Sequence, residues 1–288
     1  MNILINRIKL GLGSLIDFFR VSFYFSLLTE EKYLSKKKIN VIISGTTYPA
    51  RVKYFESCLK SLLLQSVRPA EFIIYLSQDE FPQGVPSRLA MYQRFGVKFE
   101  MVAGNVRSYK KLLYAVQAFP ERAIITVDDD VYYPENWLEK MTDVHNRHPD
   151  DVLFYRGHLI SFDDNQRVNS YKKMLYAGSA GETENIRFLP TGVCGILYPA
   201  GALHSDFNDL EKIFRLAPSA DDIWFKAMAT LNNRRFRRIY PYNVLYPPVL
   251  GSQKFSLTKI NVSDGESEND RQLSNTFNEY ALWKKMHD

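Results

Sequence analysis

The sequence predicts an α/β fold: a mostly parallel sheet with helices on both faces. Three observations carry the prediction. Apolar, β-rich runs recur at residues 39–44, 72–76 and 123–127, and the last is continuously apolar, as a strand covered on both faces must be. Segments of helical periodicity fill the gaps between these runs, a spacing that implies right-handed crossovers between parallel strands. The third observation is chemical, because the run at 123–127 ends in three successive carboxylates, Asp128, Asp129 and Asp130.

Taken in order, residues 1–38 form a segment of their own. Ile8, Leu12, Leu15, Phe19 and Phe23 recur at helical spacing, with Arg7, Lys9 and Lys36-Lys37-Lys38 as flanking positive charge. Asp17 and Arg20 interrupt the apolar run, so no uncharged stretch reaches the roughly 18–20 residues that a membrane span needs. Two readings fit this pattern: a helix lying on an anionic leaflet, or a helix packed on its own domain.

Residues 39–250 carry the main domain. Strand 39–44 leads into the turn Gly45-Thr46-Thr47-Tyr48-Pro49, then a helix over 51–65 that places Val52, Phe55, Leu59, Leu62 and Leu63 on one face. Strand 72–76 ends in Ser77-Gln78-Asp79. Pro86 opens a second helix, Gly96 closes it, and a third strand covers 97–102. Ser108 is placed to cap the next helix, which buries Leu112, Leu113 and Val116 before Pro120. After the acidic strand, a helix over 134–147 and further strand at 151–162 are expected. The run at 189–199 contains Gly192 and Gly195, which marks a bulge or a close backbone approach. A helix opens near Ser219 and runs to about residue 231, with Ser219 and Asp222 spaced like a capping box. Residues 251–288 read as a polar, mobile tail or lid hinged at Gly251, followed by a terminal helix.

In an open parallel sheet, ligands bind beyond the carboxyl ends of the strands. Those ends here are residues 46–48, 77–79, Asn105 and 128–130, which should line one crevice. Asp128 and Asp130 point to one side of an extended chain with Cα atoms roughly 6–7 Å apart. Adjacent acids repel unless a cation offsets them, and two converging carboxylates suit Mg²⁺ or Mn²⁺ together with phosphate oxygens and water.

Composition narrows the field further. The chain of 288 residues is 45% hydrophobic and 24% charged, with a formal net charge of +5. That charge fits an anionic substrate or leaflet, and the basic residues are not interleaved with aromatics as a nucleic-acid face would need. Cys58 and Cys194 alone supply no disulfide framework and no zinc spacing, which fits a reducing, cytoplasmic compartment. His145, His148, His158 and His204 form no metal-binding spacing either, and His287 near the end of the sequence reads as a free histidine. The single glycine of 45–49 counts against a sugar nucleotidyltransferase, which usually has a Gly-rich phosphate loop there.

These residues together resemble the GT-A glycosyltransferases, in their family-2-like and exostosin-like branches, over about residues 38–250. The resemblance rests on the Thr-Thr-Tyr-Pro turn with Arg51, Ser108-Tyr109-Lys110-Lys111, Val127 to Asp130, the 189–199 run, and Ala220-Asp221-Asp222. The 189–199 run is also similar to bacterial transferases of surface polysaccharide synthesis. The resemblance implies a nucleoside-diphosphate sugar as donor, UDP by default, and a saccharide or lipid-linked saccharide as acceptor. It implies Mn²⁺ or Mg²⁺ on Asp130, with Asp128 contacting the nucleotide or the metal and Asp129 nearby. Thr46, Arg51 and Ser77 fall where the family holds base and ribose. Lys110, with Arg107 as the alternative, falls where the diphosphate charge is offset. Asp222, with Asp221 beside it, matches the acid that deprotonates the acceptor. A catalytically silent membrane-peripheral module with the same fold is the alternative from another class, and Mn²⁺-dependent nucleotide affinity separates the two.

Overall fold

The computed structural model describes residues 2–174, 181–255 and 267–287. Its centre is a seven-stranded sheet. Strands β1 (Lys38–Thr46), β2 (Arg68–Ser77), β3 (Val97–Val102) and β4 (Ala123–Val127) run parallel in the order β3-β2-β1-β4. The sheet continues through β8 (Ile196–Tyr198), which is antiparallel to both β4 and β5 (Val152–Phe154), and ends at β9 (Phe236–Arg238), parallel to β5. A separate two-stranded sheet pairs β6 (Gly157–Leu159) antiparallel with β7 (Phe188–Pro190).

Alternation along each strand feeds two cores. Ile43 and Ile125 face one side, with α1 (Asn2–Ser26), α3 (Val52–Leu63) and α6 (Trp137–Arg147). Ile42 and Ile124 face the other, with α5 (Lys110–Ala118), α8 (Leu210–Leu216), α9 (Asp221–Leu231) and α10 (Glu268–Glu279). Because helices cover both faces, the central strands have no solvent side, and their sequences are apolar without alternation. Short helices α2 (Glu30–Leu34), α4 (Ser87–Ala90), α7 (Tyr171–Met174) and α11 (Trp283–His287) complete the described set.

Helix α1 combines features of both readings of the first segment. It docks on the domain through Ser14, Val21 and Phe25, with Leu28 just beyond its end. The apolar stripe expected from the sequence points the other way over its described side chains: Phe19 and Phe23 are 63% and 60% exposed, Leu12 and Leu15 are exposed with them, and Ile16 joins them at 64%. No described helix is long and apolar enough to cross a membrane.

Several local expectations are corrected. The 151–162 segment is two strands in different sheets, and 189–199 likewise splits into β7 and β8. The turn between β7 and β8 puts Cys194 at φ 88° and Gly195 at φ 91°. A Cβ at Gly195 would lie 2.5 Å from Cζ2 of Trp137, so both the backbone angle and the indole demand glycine there. Ser219 and Asp222 form no capping box. Ala220 is the N-cap of α9, Ser219 bonds Gln272, and Asp222 accepts a hydrogen bond from elsewhere in the chain. Asn269 and Asp270, expected in a mobile tail, lie in α10, whose start is held by a true capping box between Ser267 and Asp270. Asp270 also accepts from the backbone N–H of Tyr171 at 2.5 Å. Residues 256–266 and the side chains of Arg7, Ile8, Lys9 and His287 lie outside the described residues.

Candidate active site

The acidic turn after β4 is built to hold its charges in different surroundings. Asp129 and Asp130 are buried, whereas Asp128 is partly open to solvent. The backbone of the turn is fixed from the α3 and α6 side. Tyr133 Oη accepts from the Asp128 N–H at 3.0 Å, and the buried thiol of Cys58 donates to the Asp128 carbonyl at 3.2 Å. On its far side the Asp130 carbonyl accepts from the Val249 N–H at 2.7 Å, and the Tyr132 N–H donates to Pro247.

Arg51 sits between two of the acids, with Nη1 at 2.5 Å from Asp129 and 3.2 Å from Asp130. Thr47 adds a 2.7 Å hydrogen bond to Asp129. Burial nevertheless outweighs the guanidinium, and the Asp130 carboxyl is pushed up to about 7. Asp129 shifts in the same direction, again through burial and against the pull of Arg51 and Thr47. The guanidinium itself is held above its ordinary value: burial opposes its charge, and the two carboxylates more than compensate.

Lys111 joins this turn to the start of α9. Its Nζ lies 2.9 Å from Asp128 and 3.1 Å from Asp221, and Ser108 donates to the other Asp221 oxygen at 2.8 Å. Burial disfavours the ammonium, but Asp128, Asp221 and Asp222 outweigh that and keep its proton well held. Helix α5 is pinned in this position because Ser44 of β1 donates to the Lys111 carbonyl at 2.5 Å.

Asp222 is only partly buried, and its Oδ2 accepts from the Gly192 N–H at 2.9 Å. Burial, then repulsion from Asp221, raises its carboxyl to about 7 against the pull of Lys111. Gly192 is where the two halves of the site meet. A Cβ on it would lie 2.8 Å from Lys111 Nζ, 3.2 Å from Asp128 Oδ1 and 3.3 Å from Asp222 Oδ1. The backbone thus passes against both solvent-facing carboxylates, as the glycine pattern of this stretch foretold. Buried tyrosines enclose the same corner: Tyr198, and Tyr109, whose hydroxyl donates to the Ala217 carbonyl.

Of the residues expected at the site, Arg51, Asp128, Asp129, Asp130, Asp221 and Asp222 are therefore brought together. Others face elsewhere. Lys110, buried, pairs with Glu80 at 2.7 Å and Asn105 at 3.0 Å, so Lys111 rather than Lys110 reaches the acidic strand. Arg107 donates to the Pro218 carbonyl at 3.2 Å. Thr46 donates to the Tyr75 carbonyl, and it is Thr47 that reaches Asp129. Ser77 donates to the Gly104 carbonyl at the end of β2. Away from this corner, three arginines around β9 are paired with acids: Arg235 and Arg237 bond the fully buried Asp151, Arg237 also pairs with Glu184, and Arg234 with Asp150.

The charge balance bears on a metal ion. Five carboxylates, at 128, 129, 130, 221 and 222, share two cations, Arg51 and Lys111, within this corner. An excess of negative charge in a partly buried pocket is what a divalent cation relieves. Among the described residues, no group of three His, Cys, Asp or Glu side chains forms a ready metal cage. Mg²⁺ and Mn²⁺ commonly take one or two carboxylates and complete their shell with water and phosphate oxygens. The donor set is oxygen only, and Asp128 and Asp130 fit such an ion.

Comparison with known proteins agrees with this picture. The family model described as "Glycosyl transferase family 2" matches residues 46–205, more than half of the chain. Among solved structures, residues 1–349 of TarS from S. aureus share 18% identity, with 85% of this chain and 73% of that chain covered and a TM-score of 0.47. The mannosyltransferase PcManGT from Pyrobaculum calidifontis, solved with GDP-Man and Mn²⁺, shares 12% identity over 96% of this chain and 80% of that one, with a TM-score of 0.48. At these scores neither bears on donor or acceptor. No curated protein sequence matches the chain. From the family match over residues 46–205, the chain belongs to glycosyl transferase family 2 and is a GT-A-fold glycosyltransferase.

Proposed function

We propose that the protein is a metal-dependent enzyme that moves a sugar from a nucleoside-diphosphate donor to a hydroxyl of a saccharide or lipid-linked saccharide. One observation carries the reading. The partly open carboxylates of Asp128 and Asp222 both reach within 3.3 Å of the place a Gly192 side chain would occupy, and the buried Lys111 joins Asp128 to Asp221, the neighbour of Asp222. A donor-side acid and an acceptor-side acid are thereby held at one point.

Asp130 and Asp128 would hold Mn²⁺ or Mg²⁺, which when bound offsets the negative charge of a diphosphate leaving group. Asp222 accepts the proton of the acceptor hydroxyl. The hydroxyl oxygen then forms its bond to the anomeric carbon, and the carbon–oxygen bond to the diphosphate breaks with its electron pair on the leaving nucleoside diphosphate. A single displacement of this kind inverts the anomeric centre. A carboxyl raised to about 7 is matched to general-base work near neutral pH. Lys111 and Ser108 keep Asp221 in place beside it. A UDP-sugar is the default donor, and surface polysaccharide or lipopolysaccharide synthesis the default pathway, both from the resemblance alone.

The same reading includes a peripheral contact with the anionic cytoplasmic leaflet. Leu12, Ile16, Phe19 and Phe23 form a continuous exposed apolar stripe on α1, and the exposed Lys37 and Lys38 follow α2, whereas Lys36 donates inward to the Leu63 and Gln65 carbonyls. An apolar face beside a basic run favours an anionic lipid surface.

The test is a donor-hydrolysis screen with purified protein, Mn²⁺ or Mg²⁺, and UDP-, GDP- and CMP-sugars, with Asp130→Ala alongside. Metal-dependent release of one nucleotide, lost in the variant, supports the proposal. Failure to bind or cleave any sugar nucleotide with either metal rejects it in favour of a catalytically silent module.

A further inference from the structure

Arg156, between β5 and β6, differs from the other cations around the active site. Arg51, Lys110 and Lys111 each face carboxylates, and so does Arg237 on the adjoining edge strand. Arg156 is partly buried, yet among the described residues no carboxylate lies within ion-pair distance of it. Its side chain makes one hydrogen bond, from Nη1 to the Thr191 hydroxyl at 3.1 Å. That hydroxyl in turn donates to the Arg156 carbonyl at 3.3 Å, and the Thr191 N–H donates to the same carbonyl at 3.0 Å. Among the described residues the guanidinium thus makes a single contact, and most of its five N–H donors are unused.

Its position is on the acceptor side. Thr191 precedes Gly192, whose N–H bonds Asp222. Tyr171 lies where the charges of both Asp222 and Arg156 are felt, and its ring packs edge-on against His158 at 5.2 Å. His158 is two residues from Arg156, on the same face of the extended chain. It is buried and its Nδ1 has no hydrogen-bond partner. Burial, then the Arg156 charge, pushes the imidazole down to about 3, so it is neutral and cannot compete with Arg156 for an anion. A partly buried guanidinium with no acid beside it and most of its donors unused is an incomplete polar site, and a ligand oxyanion would complete it.

We infer that Arg156 is an acceptor-side anchor for an anionic group, so that the acceptor carries a phosphate or a carboxylate near the hydroxyl that is glycosylated. The planar fork of arginine suits either group, and two parallel N–H bonds would orient the acceptor as well as hold it. The inference rests on Asp222 being the acceptor-side acid, and its test is separable from the test of transfer.

Glycerol 3-phosphate and glucuronate, with glycerol and glucose as neutral counterparts, are titrated calorimetrically into the full-length protein in EDTA, so that no metal offers a second anion site. At least one anion should bind, its identity separating phosphate from carboxylate, and neither neutral compound should. Arg156→Gln should weaken that binding about tenfold or more, the usual scale for a lost charged hydrogen bond, and Arg156→Lys should retain part of it. The lysine variant also serves as the reading if the glutamine variant lowers the melting temperature. Binding of neither anion to the wild type, or undiminished binding to Arg156→Gln, overturns the inference. In parallel, acceptor-free donor hydrolysis is measured in wild type and Arg156→Gln. Equal rates support an acceptor-side role, and a parallel loss of hydrolysis in a folded variant overturns it. If anion binding behaves as stated but no donor is ever cleaved, transfer is rejected and the anion site stands.

Discussion

The N–H of Gly192 donates to Asp222 at 2.9 Å, while the place a side chain would occupy on Gly192 is already taken by Lys111 and the carboxylates of Asp128 and Asp222. The glycine is there for space. Its φ is not in the left-handed region, so the constraint is contact alone.

Gly192→Ala should therefore damage the site more than the fold. The methyl group would sit 2.8 Å from Lys111 Nζ, and either the ammonium leaves its carboxylates or the loop shifts. A displacement of this size near reacting groups costs on the order of 10²-fold in rate. Steady-state kinetics should show kcat/KM falling by about that factor, with a melting temperature within a few degrees of wild type.

Lys111→Met removes the cation shared by Asp128 and Asp221. Breaking a buried pair and leaving an acid without its partner costs about 3–5 kcal/mol. Urea unfolding should show a loss of that order, whereas Lys110→Met should leave the acid cluster intact and disturb only the Glu80 and Asn105 contacts.

The raised carboxyls of Asp130 and Asp222 make stability depend on pH. Each has an ordinary value of 3.8 and rises to about 7 in the fold, so the folded state favours the protonated form. Their contribution is complete below pH 3.8 and is lost as pH climbs towards 7. Metal-free wild type should accordingly lose melting temperature across that window relative to Asp130→Asn/Asp222→Asn, measured side by side. Added Mn²⁺ should restore much of the loss in wild type and none in the double variant. Catalysis runs in the opposite sense: turnover should rise to a plateau above pH about 7, as Asp222 gives up its proton.

Replacing Ile16, Phe19 and Phe23 by serine should abolish cosedimentation with anionic vesicles and leave the melting temperature almost unchanged. All three side chains face away from the domain, so their removal opens no cavity. Val21→Ser on the opposite face should instead destabilise the protein by about 2 kcal/mol or more, because that residue is in the core.

The parallel half of the sheet was legible because strands 39–44, 72–76 and 123–127 have no solvent face and are simply apolar, with helical periodicity between them. The acid clusters were legible as chemistry. The errors fall by one residue at junctions, where neither period applies. A 3₁₀ turn over Arg107–Tyr109 shifts the phase of the helix that follows, and Lys111 takes the place assigned to Lys110. At the end of β1 the chain leaves the strand between Thr46 and Thr47, and only the second reaches Asp129. Asp222 has the spacing of a cap, yet a long-range bond to Gly192 takes its carboxylate, and local sequence carries no trace of that partner. Arg156 gave no signal for a similar reason: what distinguishes it is the lack of an acid nearby in space.

Strand β8 has a further consequence for the order of assembly. It lies between β4 and β5 and is antiparallel to both, so the site is divided along the chain. A growing polypeptide that has emerged as far as Val127 holds β1 to β4, joined by short crossovers, with the outer edge of β4 unpaired. That edge stays open to wrong partners until residues 196–198 arrive and close it, a pairing across about 70 positions that is slow because the intervening loop must first be ordered. Only then does the preceding turn carry Gly192 over Lys111, and only after residue 222 follows is the Asp222 carboxylate in place. The nascent chain thus gains the acids at 128–130 early and those at 221 and 222 late.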